Sequence, residues 1–280
     1  MKITAVATLV NENALLDLQV LLFTLELWNP EPPTVYIYTN TVALPKIKAI
    51  PYSGTLHTQI ALDRYTGLNR AQMERLPGRI YTSLFADFCA EKPRLLRWAL
   101  ETESVGVLFC DADICHLGPL PELPEGCQLA LSPHMIREGD ERKFGRFNAG
   151  FLFMGTRELT ERWEAACATS RFFEQACLED LWDSATTYEF PIQNNYGWWR
   201  LFQSPNAAEI QKSFWGILRK GESHSGIVVV NKPLLSIHTH WTETKDFATR
   251  SFNLFVLDYL KKLSSLKKTQ ALCSKIERLL

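Results

Sequence analysis

The stretch Val105-Gly-Val-Leu-Phe-Cys-Asp-Ala-Asp-Ile114 constrains this chain more than any other. It reads as a buried apolar strand that stops abruptly at two carboxylates with one residue between them. Alternation along an extended chain sends residues i and i+2 to the same side, so Asp111 and Asp113 can present oxygens to one point. Two anions at the end of a buried strand repel each other and desolvate at a cost unless a cation lies between them. Mg²⁺ or Mn²⁺ suits that role, because such an ion takes one or two protein carboxylates and leaves its other positions to water and substrate phosphates. The plainer reading is a strand-to-loop turn, with Asp111 capping the next element and Asp113 solvated. The bare motif is short enough for either, and the rest of the chain must choose.

The remaining pattern is that of an α/β protein. Residues 3–10 form a β-type run, 14–28 are strongly apolar with helical spacing, and Asn29-Pro-Glu-Pro-Pro33 breaks the helix before a strand at 34–39. This is a parallel βαβ unit covered on both faces. Residues 40–80 read as irregular, with a weak strand near 59–62, and helices at about 81–90 and 93–102 lead into the Asp-x-Asp strand. A Pro-rich loop (117–124), a strand (128–132) and a charged loop (137–143) precede Phe147-Asn-Ala-Gly-Phe-Leu-Phe-Met154, and helices come next at 157–169 and 173–183. The segment 196–202 and strands near 227–230 and 234–240 are expected to close the sheet, and one long amphipathic helix to run from Asp246 onward. The fold expected is a mixed, mostly parallel sheet flanked by helices over residues 1–245, with residues 246–280 a helical extension packed on it.

Composition narrows the partners. Of 280 residues, 46% are hydrophobic and 22% charged, and a net charge of −1 gives no global attraction to nucleic acid or anionic lipid. The amino terminus is too short and polar for a signal peptide, and no apolar run reaches the roughly 18 residues that span a bilayer. Seven cysteines, an odd number without Cys-x-x-Cys spacing, predict a reducing, cytoplasmic setting with neither disulfides nor a zinc site.

A second set of ligand-type residues lies far along the chain, in Leu234-Leu-Ser-Ile-His-Thr-His-Trp241. Alternation places His238 and His240 on one side of that strand. Either imidazole alone could simply bond a loop carbonyl. The two together suit Mn²⁺ alongside carboxylates, so the candidate metal ligands are Asp111, Asp113, His238 and His240. Lys245 comes shortly after and reads either as a point charge for a diphosphate or as a solvated surface lysine.

Taken in order, these residues resemble the nucleotide-diphospho-sugar transferases of the GT-A fold, and most closely the retaining family that includes glycogenin and the bacterial lipopolysaccharide galactosyltransferases. The resemblance spans roughly residues 2–245 and is thin between 40 and 90. It implies that Arg94, 17 residues before Asp111, contacts the donor sugar or its diphosphate. Phe147-Asn-Ala-Gly150 resembles the family's Phe-Asn-Ala-Gly, so Asn148, Ala149 and Gly150 would hold sugar hydroxyls. Glu174-Gln-Ala-Cys-Leu-Glu179 stands for Asp-Gln-x-x-Leu-Asn, placing Gln175 at the donor's anomeric carbon and Glu174 on the sugar. Phe190-Pro-Ile-Gln-Asn-Asn195 makes Asn195 a supporting amide. The family's His-aromatic-x-Gly-x-x-Lys-Pro-Trp becomes His240-Trp-Thr-Glu-Thr-Lys245, one residue shorter and lacking the glycine and proline. Glu174 replaces an aspartate, and Glu179 replaces an asparagine, which leaves open an inverting route with Glu179 or Asp180 as base.

The implied reaction moves a sugar from a nucleotide-diphosphate donor, uridine diphosphate by family expectation, to a hydroxyl of a glycan, glycolipid or other compound. The metal, with Arg94 and Lys245, would meet the charge on the leaving diphosphate. The nucleobase would lie at the end of the first strand, near Thr8, Leu9, Asn11 and, beside Asp111, Ala112. Tyr196, Trp198, Trp199 and Trp215 are candidates for stacking on a sugar, with two of the three tryptophans expected in the core. Residues 206–226 read as a lid or as a long loop. The apolar stripe of the terminal helix packs on the domain, forms a dimer contact or lies on a membrane surface. Two other readings stand: a haloacid-dehalogenase-type phosphohydrolase with Asp111 as nucleophile, and a nucleotide-sugar binder without turnover.

Overall fold

In the computed structural model, which describes residues 1–220, 222–241 and 245–279, every residue of strand β1 (Ala5–Val10) is buried. The next helix, Leu15–Trp28, buries Leu18, Val20, Leu21, Leu22 and Leu25, too many positions for a single face. Such a helix needs cover on two sides. Leu18, Leu21, Leu22 and Leu25 pack against Val6, Val10, Ile37 and Leu108 of the sheet, whereas Val20 and Trp28 pack with the C-terminal helices. Each buried aliphatic side chain contributes about 1.5–3 kcal/mol, which fixes this helix between two layers.

The sheet continues through β2 (Thr34–Thr39), β3 (Leu56–Ile60), β4 (Val107–Cys110), β6 (Leu129–Pro133), β7 (Phe147–Met154) and β8 (Thr187–Glu189), while β5 (Ile114–His116) leaves it. Its order is β3-β2-β1-β4-β7-β6-β8. β1 to β4 run parallel, β7 is antiparallel to both β4 and β6, and β8 is parallel to β6. β2 and β3 lie on one side of β1 and β4 on the other, so the strand order reverses there. In open α/β sheets the crevice beyond the carboxyl ends at such a reversal is where ligands bind. Asn11 comes directly after β1, and Asp111 directly after β4.

Several expectations need correction. The charged run 137–143 is not a loop: it enters the helix Glu138–Phe144, helped by the Glu138–Arg142 pair one turn apart, acidic residues first and basic residues last. Residues 40–80 contain short helices at Leu44–Lys48 and Arg70–Arg75, the second opened by a capping box of Asn69 and Gln72. The late strands do not close the main sheet. β9 (Tyr196–Gly197) and β13 (Ser236–His238) join β5 in a second sheet, and β10 (Trp215–Ile217), β11 (Ile227–Val229) and β12 (Lys232–Pro233) make a third. The segment 206–226 carries the helix Ala208–Ser213 and β10 within it. The terminal helix is two helices, Phe247–Lys262 and Lys267–Glu277, broken where Ser264 turns its hydroxyl back onto the Lys261 carbonyl. Both pack their apolar side into a core that includes Cys115, Leu117 and Ile237. Among the described residues no helix is long and apolar enough to cross a membrane. All seven cysteines are buried free thiols.

One buried group sets a pH dependence. His116 is buried beside Phe151 with neither ring nitrogen partnered, and burial pulls its pKa down to about 3. In the unfolded chain it titrates near 6.5, so acid favours unfolding. The stability this neutral ring retains is present above pH 6.5 and is lost as pH falls toward 3. Between pH 7 and 5 the loss from this residue is about 2 kcal/mol. Urea unfolding of His116→Leu at the two pH values should show a correspondingly smaller drop than the wild type. An equal drop in both proteins would refute this.

Candidate active site

β4 ends at Cys110, and the Ile114 N–H donates to the Asp111 carbonyl at 3.0 Å. Asp111-Ala-Asp113 therefore occupies a tight turn rather than a strand. After it, β5 pairs antiparallel with β13 so that His238 faces Ile114, and the Thr239 N–H donates to the Asp113 carbonyl at 3.2 Å. This register is what carries a histidine from a distant segment to Asp113. β13 stops at His238, and His240 has a left-handed backbone (φ 45°). The two imidazoles come together, centroids 4.8 Å apart, through that turn and not through strand alternation.

Asp113 holds both rings. His238 Nε2 lies 2.9 Å from Asp113 Oδ1, and His240 Nδ1 contacts Oδ2. Among the described residues, the ligand atoms of Asp113, His238 and His240 lie within 4.8 Å of one another. The network behind them assigns the tautomer. Asn195 donates its amide N–H to Asn148 Oδ1 (2.9 Å) and Ser132 Oγ (3.1 Å), so its Oδ1 accepts from His238 Nδ1 at 3.0 Å. With Nδ1 the donor, a neutral His238 presents Nε2 as a bare lone pair toward a carboxylate oxygen that has no hydrogen-bond partner. Only a proton or a metal cation satisfies that arrangement. Burial would raise the Asp113 carboxyl, but His238 and His240 hold it well below the usual range. Burial would lower His240, but Asp113 lifts it to about 9. One carboxylate and two imidazoles, with the Asp111 carboxylate alongside, fit Mn²⁺ well and Mg²⁺ less well, because imidazole suits the transition ion.

Asp111 turns to a different partner. Lys92 Nζ, almost fully buried, lies 3.0 Å from Asp111 Oδ1, 2.8 Å from Glu174 Oε1 and 3.3 Å from the Ala149 carbonyl. Burial raises the Asp111 carboxyl and Lys92 opposes it, with Asp113 adding a further upward push. Gly150 is what lets this pack: a Cβ there would stand 2.6 Å from both Asp111 Oδ2 and His238 Cε1. Gln175 Oε1 accepts from Asn148 Nδ2 and from the Ala149 N–H, both at 3.2 Å, and its amide donates to the Phe144 carbonyl at 2.8 Å. Asn195 stands at φ 52° on a loop clamped by buried Arg200, which donates to the carbonyls of Ile192, Asn194 and Pro133 at 2.7–2.8 Å.

These residues border a groove of two lobes that share Arg70, Phe85, Lys92, Asp111 and His240. One lobe, about 340 Å³, reaches Leu9, Asn11, Asp17, Ala112 and Asp113 at the ends of β1 and β4. The other, about 300 Å³, reaches His134, Asn148, Glu174, Gln175, Trp198 and Trp199. Thr8 is buried in β1 and off the lining. Arg94 directs its guanidinium to Glu91 (2.9 Å) and Glu164 (2.6 Å), away from both lobes. Glu179 pairs with Arg171 and accepts from the Arg146 N–H, Asp180 is exposed, and neither lines the groove. Lys245 is exposed and off the lining, and Thr242–Thr244 lie outside the described residues. Trp199 and Trp215 are buried and Trp198 is half-buried at the groove. Sequence reasoning missed Lys92, although a signal existed. It shares the buried face of its helix with Leu95, Leu96 and Ala99, and a lysine on an apolar stripe needs a buried anion.

No protein-family model and no curated protein matches the sequence. Solved structures do. The galactosyltransferase LgtC, in complex with donor and acceptor sugar analogues, superposes over 94% of this chain and 96% of its own, with TM-score 0.55 and 12% identity. The fold is GT-A. Mouse xyloside xylosyltransferase 1 shares it over 84% of this chain and 97% of its own (TM-score 0.52, 10% identity). The bifunctional glycosyltransferase WbbM shares it over 98% of this chain and 52% of its own (TM-score 0.53, 11% identity). At these identities the likeness is one of architecture. Within the GT-A fold of this chain, the Asp113–His238–His240 cluster and the groove sit where the strand order reverses.

Proposed function

We propose that this chain is a metal-dependent glycosyltransferase that moves a sugar, with retention, from a nucleoside-diphosphate sugar to an acceptor hydroxyl. The observation that carries this is the facing of a bare imidazole nitrogen and an unpartnered carboxylate oxygen at a two-lobed groove of a GT-A fold. The nucleoside occupies the lobe at the ends of β1 and β4, against Leu9, Asn11 and Ala112. The sugar lies beside Asn148, Glu174 and Gln175. When bound, the ion supplies Lewis acidity for the charge that develops on the leaving diphosphate. Lys92 holds Asp111 and Glu174 in place and carries the positive charge that the resemblance gave to Arg94. The Asn195–Asn148–Gln175 chain holds the wall of the sugar lobe rigid, and a preorganised wall of this kind lowers the barrier.

Retention is favoured by the carboxylates themselves. Among the described residues, Asp17, Asp111, Asp113 and Glu174 are those that line the groove. Glu174 is tied to Lys92 and Asp113 to the histidines, while Glu179 and Asp180 stand off the lining. Among the described residues, Glu174, Asp111 and Asp113 are thus engaged with protein partners rather than free to act as an inverting base.

A thermal-shift screen of nucleotide sugars with Mn²⁺ tests the proposal. Ligand that binds only the native state raises Tm, by an equivalent of about 2.7 kcal/mol at a hundredfold excess over Kd. One nucleotide sugar should stabilise the wild type, and only with metal present, and Asp113→Ala should abolish the shift. Equal shifts in the variant would overturn the site.

A further inference from the structure

We propose that Arg70 binds the diphosphate of the donor at the junction of the two lobes. This rests on the transferase reading above and assigns a further binding residue within the same groove. A nucleoside-diphosphate sugar laid along the groove has its nucleoside in one lobe and its sugar in the other. Its diphosphate therefore crosses where the lobes meet. The residues common to both linings are Arg70, Phe85, Cys89, Lys92, Asp111 and His240. Asp111 repels a phosphate, Phe85 and the buried Cys89 thiol are neutral, and His240 belongs with Asp113 at the metal cluster. Two cationic side chains are left. An ammonium has three N–H groups, and on Lys92 they go to Asp111, Glu174 and the Ala149 carbonyl. Its charge balances those carboxylates, but no proton remains for a ligand. The open donor at the junction is Arg70.

The surroundings of Arg70 suit it to this task. Its Nε donates to Glu74 at 2.8 Å, and its two terminal nitrogens make no hydrogen bond among the described residues. The guanidinium carbon lies over the Phe85 ring, 4.7 Å from the centroid. Stacking occupies the flat face of a guanidinium and leaves its in-plane N–H groups for a bidentate phosphate. Phe85 is itself held, edge to face with Phe173 at 5.0 Å and stacked with Phe88 at 6.2 Å. The backbone is anchored as well. Glu12 accepts the Gly67 N–H, Asn13 donates to the Leu68 carbonyl at 3.1 Å, and the Asn69–Gln72 capping box opens the helix at Arg70. Glu12 and Asn13 follow Asn11, so the turn that borders the nucleoside lobe also fixes the arginine. The pair with Glu74 is exposed, and such a pair contributes little to stability. The diphosphate gains negative charge as its bond to the sugar breaks, so a contact at this junction acts on the transition state as well as on binding.

Titration calorimetry on the full chain with Mn²⁺ tests this. A panel of nucleoside diphosphates first identifies the one that wild type binds. Arg70→Ala should weaken that nucleoside diphosphate about 10- to 100-fold, as loss of a charge-assisted pair implies. Apparent Mn²⁺ affinity without nucleotide, and Tm, should stay at the wild-type values. Arg70→Lys keeps the charge without the fork and should weaken binding severalfold; it is read in place of the alanine variant if that protein does not fold. Glu74→Gln breaks the surface pair but keeps the arginine, and should bind the nucleoside diphosphate as tightly as wild type. Equal losses in Glu74→Gln and Arg70→Ala would make the arginine a structural residue and overturn the proposal. Undiminished binding in Arg70→Ala overturns the assignment of Arg70 alone. A wild type that binds no nucleoside diphosphate overturns the transferase reading, and this inference with it.

Discussion

Asp113→Ala is expected to slow sugar transfer about 10²- to 10³-fold, the range found when one preorganised electrostatic stabiliser is removed. The size of the effect comes from position. Asp113 is the residue that touches both imidazoles, so its loss removes one ligand and frees the two others to rotate. His238 would keep its bond to Asn195, whereas His240 would lose the contact that holds its proton. Apparent Mn²⁺ affinity, measured by titration calorimetry, should fall together with the rate. His238→Ala should behave similarly, and Asn195→Ala more mildly, because it acts on the tautomer and ring angle of His238 rather than as a ligand. Loss of such a partner commonly costs about 10- to 100-fold. A rate within a few-fold of wild type, with unchanged metal dependence, would sink the metal site.

The parts of this molecule that were legible in the sequence are those fixed by local periodicity. β1, the helix Leu15–Trp28 and β2 each carry their pattern within a single segment, and the Pro-rich break between them is unambiguous. Asp-x-Asp was visible as a motif, but alternation pointed both carboxylates at one site, whereas the chain turns there and gives Asp111 to Lys92 and Asp113 to the histidines. Long-range register was not legible. Nothing local says that β5 abandons the main sheet for β13, yet that pairing sets His238 beside Asp113. Alternation named both histidines for a geometry that the chain reaches by a left-handed turn at His240. The charged helix Glu138–Phe144 was hidden because its support is ion pairs one turn apart rather than an apolar face. The platform under Arg70 was invisible because Phe85 and Phe173 meet only when the helix Leu84–Cys89 packs near the chain at 172–173.

Lys92 shows the cost of counting spacing instead of faces. The resemblance pointed to Arg94, but two residues on a helix lie about 200° apart, so the choice decides which side of the helix faces the site. Lys92 faces inward to Asp111 and Glu174, while Arg94 joins Arg97 around Glu164. Lys92→Met should therefore destabilise the fold by about 3–5 kcal/mol, the usual consequence of leaving buried charge unpaired. For a chain of this size that is a fall in Tm of about 10 °C. The defect should depend on pH with a definite sign. Burial already raises the Asp111 carboxyl, and without the opposing ammonium it rises further above its unfolded value near 4, so the native variant binds more protons than the unfolded chain. Stability is then lost as pH climbs from about 4 through the raised value, and the gap to wild type is wider at pH 8 than at pH 5. Adding Glu174→Gln removes one of the two orphaned anions and should recover part of the loss. Denaturation curves for the three proteins at both pH values check the sign and the size together. A Lys92→Met protein as stable as wild type at pH 8 would mean that the buried cluster does not depend on this lysine for its charge balance.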